Sequence, residues 1–213
     1  MKIVAISDLQ GQGPKINPRL IPTGDLLLIA GDLTTWGKEE ELKACNKWLG
    51  LLPHTHKLVI GGNHDNSLEN GIGKKLFTNA IYLENELIEI EGIKIWGSPV
   101  NEMNNIFWFR AFANNQQELC EMIPKGLDIL LTHGGPYMIL DKLVTGEHVG
   151  SKPILEAVIR AKPKYHIFGH IHESYGRYVD KNTIYLNVAT PDESNNFFRN
   201  SKLLHEPVIF EFK

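Results

Sequence analysis

His170 and His172, one residue apart in Gly169-His170-Ile171-His172, close a series of five short stretches rich in metal-ligating side chains. The others are Asp8-Leu9-Gln10, Gly31-Asp32, Gly62-Asn63-His64-Asp65 and Thr132-His133-Gly134. Carboxylate, amide oxygen and imidazole are donors for divalent metals. Each stretch directly follows an apolar run of strand length. In open α/β sheets the loops beyond the carboxyl ends of strands converge on one crevice. Five stretches far apart in sequence are therefore expected to meet at one metal centre.

The residue types suggest a division of labour. A two-metal hydrolase needs a ligand shared by ions about 3.5–4 Å apart, with open positions for water and substrate. Asp32, a short carboxylate on a tight turn after Gly31, suits that bridge. Asn63 brings an amide oxygen without adding negative charge near a phosphate. His133, His170 and His172 supply nitrogen donors suited to manganese, iron, zinc or nickel. In an extended His170-Ile171-His172 segment alternate side chains point the same way, so both imidazoles can reach one centre. His64 follows a proposed ligand and need not bind metal itself. Its pKa range suits a general acid for a leaving oxygen, and the plainer reading is a turn cap. Asp65 is expected to cap the segment that follows it, and His148 to make a loop-ordering hydrogen bond. His54, His56, His166 and His205 read as structural or exposed.

The elements that must position these groups are legible as apolar runs at Ile3–Ile6, Leu26–Ala30, Leu58–Ile60, Ile129–Leu131, His166–Phe168, Ile184–Val188 and Val208–Phe212. Runs without strict alternation suit strands covered on both faces. Leu87–Trp96 instead alternates on either side of Glu91-Gly92, which predicts a hairpin. Helices are expected over Lys38–Leu49, with Leu42, Cys45 and Leu49 on one stripe, and over Gln116–Ile123. A third is expected over Pro153–Ala161, with Ile154, Leu155, Val158 and Ile159 on one face and Ser151 as N-cap. Two mixed sheets packed together and flanked by helices are the economical arrangement, in one domain over 1–213. Segments 101–115 and 191–207 are long and irregular, which in compact domains often marks function. The first holds Phe107, Trp108, Phe109 and Phe112, for which core packing is the default and a wall for a stacked nucleobase the sharper alternative.

A chain of 213 residues is long enough for a substantial core without disulfides. Its formal charge of −3 gives no reason to expect binding to duplex nucleic acid or anionic membranes. The N-terminal apolar run is too short for a signal core and ends in Asp8, and no run approaches a membrane span. With Cys45 and Cys120 the only cysteines, a reduced, cytoplasmic setting is expected.

Taken in order, Asp8-x-Gln10, Gly31-Asp32, Gly62-Asn63-His64-Asp65, His133 and Gly169-His170-Ile171-His172 resemble the motifs of the calcineurin-like metallophosphoesterase superfamily. The sequence between them is similar to a subgroup, the metallophosphoesterase-domain-containing proteins of animals and their bacterial relatives. Ile6-Ser7-Asp8, Gly24-Asp25, Trp48-Leu49, Leu52-Pro53-His54, Ile95–Pro99, Gly146–Gly150 and Gly169–Glu173 carry that likeness, which covers essentially the whole chain. The resemblance implies a four-layer α/β/β/α sandwich. It implies one ion held by Asp8, Gln10, Asp32 and His172, and a second held by Asp32, Asn63, His133 and His170. It further implies a bridging hydroxide as nucleophile and His64 as proton donor to the leaving group. Two divalent ions are expected, manganese first, with iron, zinc, nickel or magnesium as alternatives.

At Gln10 the chain departs from the pattern, which has histidine there. An amide oxygen is a harder and weaker ligand for late transition metals than imidazole, so the first site is expected to be weakened. Protein phosphatases of the superfamily carry an acid three residues after the bridging aspartate and an arginine after the Asn-His turn. This chain has Thr35 and Asn66-Ser67. Nor is there room for the capping domain of the family's nucleases. The expectation is a phosphodiesterase for small phosphodiesters or cyclic nucleotides. A phosphomonoesterase, or a nucleotide- or phosphate-binding protein without turnover, are the alternatives.

Overall fold

Along β1 (Lys2–Ile6) successive side chains enter two different cores, Ile3 and Ala5 one and Val4 and Ile6 the other. Side chains of a strand alternate between faces, so a run that is apolar throughout must be covered on both. In the computed structural model, which describes residues 1–102, 112, 114–190 and 205–213, this double burial recurs in both sheets. β1 is followed by β2 (Leu26–Ile29), helix α1 (Glu39–Leu49), β3 (His56–Val59), helix α2 (Gly73–Leu76) and β4 (Ile81–Tyr82). Strands β1 to β4 run parallel in that order.

The second sheet starts with the hairpin of β5 (Glu86–Ile90) and β6 (Ile93–Ser98). Helix α3 (Gln116–Glu121), β7 (Ile129–Thr132), helix α4 (Lys152–Ala161), β8 (Tyr165–Phe168), β9 (Gly176–Val179) and β10 (Ile184–Asn187) follow. The spatial order is β5-β6-β7-β8-β10-β9, with β5 and β9 antiparallel edges on a parallel centre. Finally β11 (Val208–Glu211) returns to the first sheet and pairs antiparallel with β1.

Three cores separate four layers. Leu28, Leu58, Ile95, Leu131 and Ile167 fill the space between the sheets. Leu42, Cys45, Trp48 and Leu49 seal α1 against the outer face of the first sheet. Ile154, Ala157, Val158 and Ala161 seal α4 against the second. This is the α/β/β/α sandwich of two mixed sheets. Each fully buried aliphatic side chain contributes about 1.5–3 kcal/mol. Ser151 caps α4 by accepting from Ile154 N–H at 3.3 Å, an interaction worth about 1 kcal/mol.

The expected strands and helices are present to within a residue or two. The face of α4 differs: Ile159 is 61% exposed, and Ala157 and Ala161 take the buried positions. The i, i+3, i+4, i+7 stripe beginning at Ile154 passes through 157, 158 and 161. Phe112 lies in the core with Leu68 and Phe77 and gives its backbone N–H to Glu69, so for this ring the packing reading holds. Phe107, Trp108 and Phe109 lie outside the described residues. Both cysteines are unpaired and buried, and burial pushes each thiol up to about 12. Among the described residues no helix is long and apolar enough to cross a membrane.

Candidate metal centre

Strands β1, β2 and β3 of one sheet and β7 and β8 of the other end at a common seam, and each delivers its polar stretch there. The donor atoms of Asp8, Asp32 and His133 lie within 4.8 Å of one another, and all three residues are buried. Four residues of the cluster sit in the left-handed region: Asp8 (φ 60°), Gln10 (φ 41°), Asp32 (φ 52°) and His170 (φ 68°). Non-glycine residues are uncommon there, and such backbones persist where surrounding structure imposes them. Here the imposing contacts are visible. Asp8 N–H donates to Gly31 O at 3.1 Å and Gln10 N–H to Asp32 O at 2.8 Å. Thr35 Oγ1 donates to Gln10 O at 2.6 Å.

Asp32 stands at the middle. Its Oδ1 accepts the backbone N–H of His64 at 2.8 Å and lies 3.3 Å from His133 Nε2. Its Oδ2 is 3.8 Å from His64 Nε2. Burial alone would raise the Asp32 pKa, but the imidazoles of His133 and His64 outweigh it and hold the carboxyl well below its usual range. A Cβ on Gly62 would come within 2.3 Å of Asp32 Oδ1, so only glycine leaves room for the carboxylate. Asp8 accepts the His170 backbone N–H at 3.1 Å and lies 3.3 Å from His172 Nε2. Burial again opposes ionisation, and His172 more than offsets it, lowering the Asp8 pKa.

His133 tests whether the pocket suits a cation. Its Nδ1 is 2.7 Å from the Ala30 carbonyl, an acceptor only, so Nδ1 carries a hydrogen. The other nitrogen, Nε2, faces Asn63 Oδ1 at 2.8 Å and Asp32 Oδ1 at 3.3 Å. In neutral imidazole that nitrogen is a lone pair, which would point at two oxygens. Burial disfavours a charge there, yet Asp32 and Asp8 drive the His133 pKa up to about 10. Such an array of oxygens around a lone pair calls for positive charge, supplied by a proton or by a metal. Donors to one ion, each about 2.1 Å from it, stand roughly 3.0–3.4 Å apart. The His133–Asp32 and His172–Asp8 contacts fall in that range. The residues present fit a divalent metal.

His170 is pushed down to about 4, mainly by burial and then by the charge on His133, which leaves it neutral. Its ring stands edge-on to His133 with centroids 5.0 Å apart. His172 is raised because Asp8 outweighs the effect of burial. Gln10 is partly exposed and held by its backbone bonds to Asp32 and Thr35. His64 Nδ1 is 2.9 Å from the Thr35 carbonyl, so that nitrogen donates and Nε2 turns toward Asp32. The loop carrying Thr35 is held in turn by Glu41, which accepts from the backbone of Thr35, Trp36 and Lys38.

The contacts thus bring Asp8, Asp32, Asn63, His64, His133, His170 and His172 together, and Gln10 joins them through its backbone. Two lesser expectations resolve differently. Asp65 does not cap the turn that follows it; its carboxylate reaches back to Leu33 N–H, Thr34 N–H and Gly62 N–H. Those donors belong to the loop after β2 and its own turn, so Asp65 ties the Asp32 loop to the Asn63 loop. His148 pairs through Nδ1 with buried Asp141, which also accepts from Met138 and Gly150 N–H, so it orders its loop as expected.

One neighbour of the cluster belongs to none of the five stretches: Glu102, three residues past Pro99. Its Oε2 is 3.5 Å from His170 Nε2, and burial pushes its carboxyl up to about 7. A sixth strand end at the same edge, that of β6, was the clue available.

Comparison with known proteins agrees with this geometry. The family described as calcineurin-like phosphoesterase matches residues 1–174. The human metallophosphoesterase domain-containing protein 1 is 34% identical over 221 residues, covering 88% of this chain and 65% of that protein. A Caenorhabditis elegans UPF0046 protein is 36% identical over 93% of this chain and 57% of its own length. A second from that organism is 31% identical over 99% and 74%. The chain therefore spans from just over half to three quarters of these relatives. Among solved structures, TT1561 of Thermus thermophilus superposes with a TM-score of 0.56 at 13% identity, covering 87% of this chain and 88% of that one. GAP50, the anchor in the inner membrane complex of Plasmodium, gives 0.53 at 13% identity over 97% and 78%. At such identities these two speak for the fold alone. With a whole-fold match and a family match that runs through all five strand-end stretches, the chain belongs to the calcineurin-like phosphoesterase family.

Proposed function

We propose that this protein is a metal-dependent phosphodiesterase acting on small phosphodiesters or cyclic nucleotides, in a reducing cytoplasm. The observation that carries the reading is the seam itself, where donors from five strand ends face one another and His64 Nε2 turns toward them. Asp8, Gln10, Asp32 and His172 would hold one cation, and Asp32, Asn63, His133 and His170 the other. Two bound divalent cations polarise phosphoryl oxygens and acidify an attacking water.

The chain's own groups do the rest. Asn63 contributes oxygen without charge, which limits repulsion of an anionic substrate. The Thr35 carbonyl fixes the His64 ring by its Nδ1 side, so a proton on Nε2 can be passed to the departing oxygen. Diesters are favoured over monoesters by what surrounds the centre. Among the described residues, no lysine or arginine forms an ion pair with Asp8 or Asp32, whose charged partners are histidines. A dianionic monoester profits most from such a cationic clamp, whereas a monoanionic diester needs it less.

Steady-state turnover of bis-para-nitrophenyl phosphate against para-nitrophenyl phosphate, after chelation and with each metal restored, tests this. The diester is expected to be the better substrate and to require metal. Preference for the monoester would make the protein a phosphomonoesterase. Nucleotide binding without turnover of either ester would make it a binding protein.

Gln10 yields a second expectation. Its backbone is fixed by bonds to Asp32 and Thr35 that do not involve its side chain, so Gln10→His should place an imidazole at the same point. Manganese should half-saturate the first site at a lower concentration, by at least the ~10-fold that even outer-sphere changes produce. Diester turnover at limiting metal should rise in parallel. Metal titrations followed by occupancy and rate decide it; an unchanged curve would show that the amide oxygen already serves as a full ligand.

A further inference from the structure

Strand β6 runs parallel to β7, so its carboxyl end opens on the edge where His133 and His170 stand. The chain beyond it is held in place: Gly134 N–H donates to Val100 O at 2.9 Å, and Asn101 Nδ2 to Pro99 O at 3.1 Å. This brings Glu102 Oε2 to 3.5 Å from His170 Nε2. A Cβ at position 134 would come within 2.6 Å of that oxygen, so the glycine after His133 makes room for it. Both carboxylate oxygens are buried and out of hydrogen-bonding geometry with any other described side chain, with only the backbone N–H groups of Glu102 and Ser151 nearby. A buried carboxylate in that state is costly to keep, and the neighbour it faces is His170.

An imidazole that binds metal through one nitrogen usually gives its other N–H to a carboxylate, a carbonyl or water, which fixes both tautomer and orientation. His133 already shows the arrangement, with Nδ1–H on the Ala30 carbonyl and Nε2 toward the centre. We propose that Glu102 does the same for His170 as a positioning residue, accepting from Nε2–H and so presenting the Nδ1 lone pair to the cation of the second site. The contact is a few tenths of an ångström longer than a formed hydrogen bond, and closing it is a small rotation of either side chain. The inference rests on the metal reading above and adds to it an outer carboxylate that none of the five motifs contains.

The test is calorimetric titration of chelator-stripped protein with manganese, for the parent, Glu102→Ala and Glu102→Gln, alongside the melting temperatures of the stripped proteins. Glu102→Ala should weaken one of two binding events by about 10–100-fold. Glu102→Gln keeps an oxygen that accepts from Nε2–H, so it should recover most of that loss. Neither stripped variant should melt below the parent, because the buried carboxylate is a burden without metal. Parent-like affinity in Glu102→Ala overturns the proposal. So does a loss of affinity accompanied by a lower melting temperature of the stripped protein, which would mark a merely structural residue. Failure of Glu102→Gln to recover affinity also overturns it, since charge rather than orientation would then be the contribution. A parent that takes up no manganese overturns the metal reading itself, and this inference with it.

Discussion

Asp32→Asn is expected to lose cation from both sites and to abolish measurable diester turnover, a greater loss than from any other single change in the cluster. Asp32 is the proposed ligand common to both ions, and it is also the contact that relates His133 to the turn bearing His64. The fall in kcat/KM should exceed the ~10²–10⁴-fold that a missing general acid causes. Folding should suffer less than catalysis. Removing one member of a buried ion pair typically costs about 3–5 kcal/mol when the other charge is trapped. His133, however, owes its raised pKa largely to Asp32 and can shed its proton once the carboxylate is gone. Metal analysis of the purified variant, together with its rate, is the check. Retention of two tightly held ions would remove Asp32 from the bridging position.

His64→Ala should behave in the opposite way, slowing turnover about 10²–10⁴-fold while leaving the metal content close to that of the parent. The reason is in the contacts. It is the backbone N–H of His64, not its ring, that holds Asp32 Oδ1 at 2.8 Å, and that bond survives replacement of the side chain. The deficit should be smallest for a nitrophenolate leaving group, which departs without a proton, and largest for an alkoxide such as a ribose oxygen. A series of diesters with graded leaving groups reads this out. If His64→Ala instead loses metal as Asp32→Asn does, the imidazole is a ligand and the assignment to proton transfer is wrong.

Much of this arrangement was readable before any coordinates because strand interiors here are apolar on both faces. Runs such as Leu26–Ala30 announce themselves, and the polar residues directly after them stand out against that background. What could not be read follows from the same physics. Strand β4 is two residues long and β9 is largely exposed, so neither bears a hydrophobic signature. The buried face of α4 is harder to read because two of its positions are Ala157 and Ala161, too small to stand out, while the bulkier Ile159 lies off the stripe that meets the sheet. The role of Asp65 is hidden in the sequence because its partners, Leu33 and Thr34, are some thirty positions earlier and become neighbours only when β2 and β3 align. Glu102 is hidden for a related reason: three residues separate it from the end of β6, and only the parallel pairing of β6 with β7 brings it to the cluster.

The seam on which the centre lies also has a thermodynamic meaning. Asp8 and His170 are 162 positions apart in the chain and meet only because two separate sheets have packed face to face. An unfolded chain cannot gather such donors, so a cation bound there acts on the folded form alone. At a hundredfold excess over its dissociation constant it would add about 2.7 kcal/mol to stability. The reverse follows by linkage. Leu28, Leu58, Leu131 and Ile167, which hold the sheets together and carry no donor atom, help set the affinity for a metal. Resistance to heat then becomes a joint property of the polypeptide and of the free cation concentration around it.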